Sequence, residues 1–357
     1  MSERGRAAIV ATTAGVAAGW LSFALLVWIY GEPPREVAGQ LLAGTWGTAY
    51  GVGQVLYKAT PLLLTGLAVD LALRAGLFNI GAEGQLAVAG LAVGTLGESL
   101  PPGTPAWAAL PVLASVAALA GAAWAGVPAL LRARYGAHEV ISTIMMNRIA
   151  DAAVGLGLAR GLAVPGTVRT PDVVAGARLP RLESFGLPSL HGSAVSVALP
   201  FALVVAVLGS QWLKRSRAGR ETVLVGLSPS ACAAERIPVA RRVGGALLLS
   251  GAVAGLASLA PVLGYKGYYE SGMGAGAGFG GIAVALLGRG NPLGLFLAAL
   301  LFGTLEQGGL AINARVPMEM MTVLQGVVIV AVALADARVR AFVVRSVTPP
   351  KRAPGPT

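Results

Sequence analysis

Three side chains in one glycine-rich stretch carry groups that could do chemistry: Asn79, Glu83 and Gln85, within Gly76–Gly97 (GLFNIGAEGQLAVAGLAVGTLG). The stretch follows an apolar run, Thr60–Leu73, and leads straight into another. Hydrocarbon offers no hydrogen bonds, so a carboxylate and two amides at that depth must face protein or water. Asn79 and Glu83 are four residues apart, which on a helix places them on one face. Gly90 and Gly94 form a small-xxx-small pair that would let another helix come close. A polar face on a glycine-broken membrane segment is one way to build a solute pathway near the midplane. The competing reading is a small-residue packing seam in which Glu83 is protonated.

The elements that must position these groups are membrane helices. Of 357 residues 55% are apolar and only 12% charged, with a mean hydropathy of +0.72. A soluble domain carries about twice that charge. Uncharged windows of about 20 residues run without alternation, which selects helices and excludes a barrel. The 50 glycines fit an assembly in which close helix packing replaces hydrophobic association.

Ten spans are predicted: Ala7–Tyr30, Ala59–Leu73, Leu77–Leu96, Ala106–Leu131, Glu139–Leu158, Ala194–Leu213, Val243–Leu263, Gly278–Leu287, Pro292–Ile312 and Val316–Leu334. The first is too long for a signal-peptide core and is read as retained. This arrangement puts 18 of the 27 Lys and Arg on one side, eight on the other and Arg148 within a span. That asymmetry places both ends, 1–6 and 336–357, in the cytoplasm, flanking a membrane domain over 7–335. Glu36–Tyr57 is expected to lie on the outer surface as an amphipathic helix. Residues 161–193 form a long external loop, and 218–242 a polar cytoplasmic one. The fold class is therefore an all-α polytopic membrane protein of about ten transmembrane helices. Two broken, Gly-rich segments, Gly76–Gly97 and Gly278–Gly303, occupy corresponding places in the two halves, as in a pseudo-repeat.

The net charge of +11 follows from that topology and does not point to nucleic acid. One Cys and two His rule out an intrachain disulfide and argue against a dedicated metal site. The chain has no G-x-x-x-x-G-K-[ST], H-E-x-x-H or G-x-S-x-G, so neither a nucleotide-cradling loop nor a hydrolase is indicated. The segment Gly226–Ile237 (GLSPSACAAERI) is more informative. Ser228 can cap a short helix with Pro229 in its first turn. Ala231, Ala233 and Ala234 would then allow close docking, with Glu235 and Arg236 as polar contacts. The segment reads either as a helix inserting into a partner's groove or as a solvated turn.

With these residues quoted, the chain resembles the membrane-spanning permeases of bacterial ABC importers, in the branched-chain amino acid, ribose and nucleoside group, and within it the nucleoside type. The resemblance is carried by GLFNIGAEGQ (Gly76–Gln85), EVISTIMMN (Glu139–Asn147), GLSPSACAAERI, SGAVAGLA (Ser250–Ala257) and GFGGIAVALLGRGNP (Gly278–Pro292). These motifs span most of the chain in the family's order. The resemblance implies a multi-pass subunit of the bacterial plasma membrane, in contact with membrane lipid. It implies two permeases forming the pathway, the second a related chain or a copy, together with ATPase subunits and an extracytoplasmic substrate-binding lipoprotein. ATP and Mg would be used by the ATPase subunits, and this chain would bind no cofactor. The coupling loop maps onto Gly226–Ile237. The substrate, a nucleoside, would be met by Asn79, Glu83, Gln85 and Asn147, with Phe78 and Met146 packing on the base.

One position departs from that pattern. Where an aromatic residue is expected after Asn147 stands Arg148, about 13 Å into its span at the helical rise, with Asp151 three residues on. Either the two pair along the helix, or Arg148 faces the cavity and contacts substrate. Alternative functions are a permease for a sugar or another small polar solute, a proton-coupled transporter using Glu83, Asp151 or Glu306, and a passive channel.

Overall fold

The computed structural model describes residues 19–186, 188–327 and 330. Twelve helices succeed one another among them: α1 (Gly19–Ile29), α2 (Pro34–Thr45), α3 (Ala49–Arg74), α4 (Ala82–Ser99), α5 (Ala106–Tyr135), α6 (Glu139–Gly157), α7 (Ala198–Arg215), α8 (Arg217–Leu227), α9 (Pro229–Ala234), α10 (Val239–Leu256), α11 (Ala277–Gly288) and α12 (Pro292–Ile312). Residues 318–327 are also helical. Extended pairing among the described residues is limited to isolated bridges, such as Arg169 with Glu270, so the all-α class stands. Four helical stretches, α3, α5, α10 continued to Lys266, and α12, are long and apolar enough to cross a membrane, while α1 and α11 are shorter apolar helices. The start of the first predicted span, the end of the tenth and both predicted cytoplasmic ends lie outside the described residues.

Two compact units make up the chain: Met1–Leu42 with Gly308–Thr357, and Ala43–Gln307. In the first, the Arg315 guanidinium donates to Glu36 at 3.1 Å and pairs with Glu32 at 3.6 Å. The second carries every residue quoted for the site.

At the centre of the second unit is α3, buried without interruption from Ala59 to Ala72. A helix apolar on all sides is a core helix. This corrects two expectations. The amphipathic surface helix over Glu36–Tyr57 does not exist as one element, and the second span is longer than Ala59–Leu73. The chain breaks at Gly47–Thr48, where the Thr48 hydroxyl accepts from the Gly51 N–H at 3.0 Å, an N-cap that restarts the helix. From there α3 runs 26 residues. Lys58, which stood just before the predicted start at Ala59, sits inside it with its ammonium 3.9 Å from Glu306. At the far end Gly76 takes φ +72° and the Leu77 N–H returns to the Ala72 carbonyl, closing a Schellman turn.

Small residues set the closest helix contact, between α5 and α10. A Cβ on Gly121 would strike the Gly251 carbonyl, and one on Gly255 the Ala117 carbonyl. By contrast Gly90 and Gly94 do not receive a helix. Tyr269, from the segment after α10, lies over both, its ring 2.8 Å from a Cβ built on Gly90 and its own Cβ 2.7 Å from one built on Gly94, and Tyr269 is fully buried. The predicted external loop is strapped down by backbone bonds: Thr170 N–H to the Tyr269 carbonyl, Val173 to Gly267, Val174 to Gly97 and Leu179 to Leu263.

Candidate translocation junction and coupling arm

Both glycine-rich helices begin without a cap of their own. Gly81 precedes α4 and Gly276 precedes α11, and neither offers a side-chain acceptor. Each helix is capped from elsewhere in the chain. For α4 the acceptor is Asn147 of α6, whose Oδ1 takes the Gly84 N–H at 3.0 Å while its Nδ2 donates to the Ile80 carbonyl at 2.9 Å. For α11 it is Glu83, whose Oε1 and Oε2 accept from the Gly276 and Gly278 N–H groups at 2.6 and 2.7 Å. A carboxylate at a helix N-terminus satisfies orphan donors and matches the positive end of the dipole. Because Glu83 also stands in the first turn of α4, two helix N-termini converge on one carboxylate. Among the described residues it has no cationic partner.

Asn79 lies in the turn before α4, so it and Glu83 do not share a helical face as their spacing predicted. Its side chain is saturated instead. Nδ2 donates to Gln85 Oε1 at 2.9 Å and to the Ser250 hydroxyl at 2.8 Å, and Oδ1 accepts from the Gly81 N–H and Gln85 Nε2. The Ser250 hydroxyl in turn donates to the Ala68 carbonyl of α3 at 2.6 Å. Asn79 and Gln85 are both fully buried, a closed amide pair tying α4 to α10 and α3. Phe78 is half-buried, with its N–H directed at Glu139. Met146 is buried, and its carbonyl accepts from the Trp124 indole at 3.1 Å.

The face of α6 beyond Asn147 is open. Arg148 pairs with Asp151 at 3.6 Å, as the spacing allows, yet their side chains are 81% and 63% exposed. Met145 on the same helix and Phe279 in the first turn of α11 are also half exposed, and Asp151 is close enough to interact electrostatically with Glu83. Sequence reasoning missed Phe279. Its signal was its place one residue after Gly278, at the start of the second broken segment.

The quoted coupling residues form one small element. Ser228 caps α9, with Pro229 in the first turn and its Oγ accepting from the Ala231 N–H at 3.4 Å. Ala231, Ala233, Ala234, Glu235 and Arg236 are exposed, whereas Cys232 is buried beneath them and Ile237 partly so. Arg236 closes the helix in a left-handed conformation at φ +58°. At the root Glu221 of α8 accepts from Arg217 Nε at 2.7 Å and from Arg242 Nε at 2.8 Å, joining α8 to α10. These hydrogen bonds, from Arg217 first, hold its carboxyl below the usual glutamate range. Gly226 lies against the turn that ends α3, so that a Cβ there would strike the Arg74 carbonyl and the Ala75 backbone. Nothing in the sequence foretold a contact between positions 150 apart, Gly76 and Gly226.

Apolar helices long enough to span a bilayer, two glycine-started helices capped across the fold, and an exposed small-residue arm are the frame of a membrane protein. The family is then specific. Residues 51–333 match the model described as branched-chain amino acid transport system / permease component, and the chain belongs to that family. The guanosine ABC transporter permease protein NupP of Bacillus subtilis is 35% identical over 336 residues, covering 92% of this chain and 93% of that protein. The glucose ABC transporter permease protein TsgB13 of Haloferax volcanii is 34% identical over 312 residues, covering 83% and 79%. The nucleoside ABC transporter permease protein NupB of Lactococcus lactis is 28% identical over 323 residues, covering 88% of each. No solved structure matches the chain. The protein is a multi-pass membrane permease component of an ABC transport system, and permeases of this family work with ATPase and substrate-binding subunits.

Proposed function

We propose that this chain forms half of an import pathway for nucleosides, with the solute passing along the open face of α6 beside Glu83. The observation that carries the reading is the Arg148–Asp151 pair, about 13 Å into α6 by the helical rise and largely exposed. A charge pair at that depth cannot face lipid cheaply, so it faces water or another subunit. Two acids and a guanidinium can hydrogen-bond base edges and ribose hydroxyls, and Met145 and Phe279 offer apolar surface to a base. Asn79, Gln85, Phe78, Met146 and Asn147 support this surface from behind. The relatives named for guanosine and nucleosides favour this substrate class over the sugar of the Haloferax protein.

The facing subunit is a second permease, a related chain or a copy. Ala231, Ala233, Ala234, Glu235 and Arg236 dock into an ATPase subunit, which binds the ATP and Mg and performs the hydrolysis. This chain binds no cofactor, the arm side is cytoplasmic with both termini, and a substrate-binding lipoprotein delivers solute to the other side. The test is ATP-driven uptake of radiolabelled guanosine and of glucose in vesicles holding the co-encoded complex. Guanosine uptake that needs ATP and the binding protein, with KM raised about tenfold in Arg148→Gln/Asp151→Asn by loss of one or two polar contacts, is expected. An unchanged KM in that variant would remove the pathway from α6, and uptake driven by a pH gradient alone would make the chain a secondary transporter.

A further inference from the structure

A groove of about 420 Å³ lies between α7 and α10. Its floor is Leu67 and Leu71 of the core helix, both fully buried. Leu208, Gly209 and Trp212 make one wall, and Gly245, Leu249 and Val253 the other. The walls exist because α7 and α10 both pack on α3 and glycines thin each of them. A Cβ on Gly209 would touch Leu67, and one on Gly245 would meet nothing within 4 Å. From Arg242 to Val253 the groove follows α10 for about 16 Å at the helical rise, the depth of one leaflet's hydrocarbon. Leu208 in its wall is more than half exposed, so it opens to the side.

The end nearest the coupling arm is of opposite character. Arg241 and Arg242 border the groove there, beside Trp212 and Thr222. Arg241 is exposed. Arg242 directs Nε and Nη2 at Glu221, which leaves Nη1 for another acceptor. Lys214 and Arg215 end α7 just beyond Trp212. An apolar slot of leaflet depth with guanidinium groups and an indole at its mouth matches an anionic phospholipid, acyl chain along the slot and phosphate at the arginines. We infer that this groove is a binding site for one anionic phospholipid of the leaflet on the coupling-arm side, with Arg241 and Arg242 holding its phosphate. A headgroup there would share Arg242 with Glu221 and so touch the root of the arm.

The full chain, purified in detergent, is to be incubated with phosphatidylglycerol or phosphatidylcholine and the retained lipid counted by native mass spectrometry. Retention of one phosphatidylglycerol and not of phosphatidylcholine is expected. Arg241→Gln should lower that retention about fivefold by removing one interfacial charge, and Gly245→Leu should abolish it by filling the slot. Arg134→Gln, an exposed basic residue at the end of another helix, should leave it unchanged. Equal retention of the two lipids, or phosphatidylglycerol retention unchanged in both groove variants, would overturn the assignment. So would a cross-link from Leu208→Cys to another protein chain in the assembled transporter, because the groove would then be covered by a subunit. None of these outcomes bears on the α6 pathway.

Discussion

Glu83 and Glu221 each accept short hydrogen bonds on both carboxylate oxygens, from opposite kinds of donor. Glu83 is held by backbone N–H groups at the start of α11, Glu221 by the guanidinium groups of Arg217 and Arg242. Backbone donors bring about half a unit charge at a helix end, so they offset the Glu83 carboxylate only in part at each helix start while fixing α11 in place. Two guanidinium groups more than neutralise Glu221. The first carboxylate is built into the backbone at the start of α11. The second is a side-chain latch whose charge is spent on joining two helices.

The sharpest way to break that contrast is Glu83→Ala. It strips two charge-assisted bonds from α11, which should lower stability by about 3 kcal/mol or more and abolish uptake. Glu83→Gln retains one acceptor oxygen and should keep part of the stability while losing transport. Thermal denaturation of the purified chain, with uptake measured in vesicles, separates the two. An alanine variant melting at the parent temperature would show that α11 does not need its borrowed cap. Asn147→Ala tests the neutral counterpart on α4. Losing one cap and one bond to a buried carbonyl should cost about 2 kcal/mol, read by the same melting curve.

Glu221→Gln should have the smallest effect, and its pH dependence is the informative part. The folded-state pKa of Glu221 is lowered, so its stabilisation is complete above the ordinary value of 4.5 and is lost as pH falls through the lower folded value. The melting difference between parent and variant should stay constant from neutrality to about pH 5 and shrink below 4.5. A difference that grows on acidification would contradict the guanidinium latch.

Much of this architecture was legible in the residues. Continuous apolar windows announced helices, and Ser228-Pro229 with the following alanines announced α9, because capping and close packing depend on local chemistry. Gly278–Leu287 became α11 with one residue added at each end. The failures came where a long-range partner changed the meaning of a local signal. Lys58 looked like a span boundary and is matched by Glu306. Asn79 and Glu83 looked like one helical face, but Gly81 starts the helix between them and sends the two side chains to different partners. Gly90 and Gly94 looked like a helix seam, but an aromatic side chain occupies the notch. The caps on α4 and α11 were invisible for the same reason: each comes from a helix distant in sequence.

The meeting of Gly226 with Arg74–Gly76 has a mechanical consequence. Two main chains touch there with no side chain between them, so the joint contains nothing that can be compressed or rotated aside. Displacement of the arm therefore reaches the turn before Asn79 without lost motion. On the proposed docking, the arm's exposed residues can vary with the ATPase subunit they meet, whereas this joint tolerates no added methyl group.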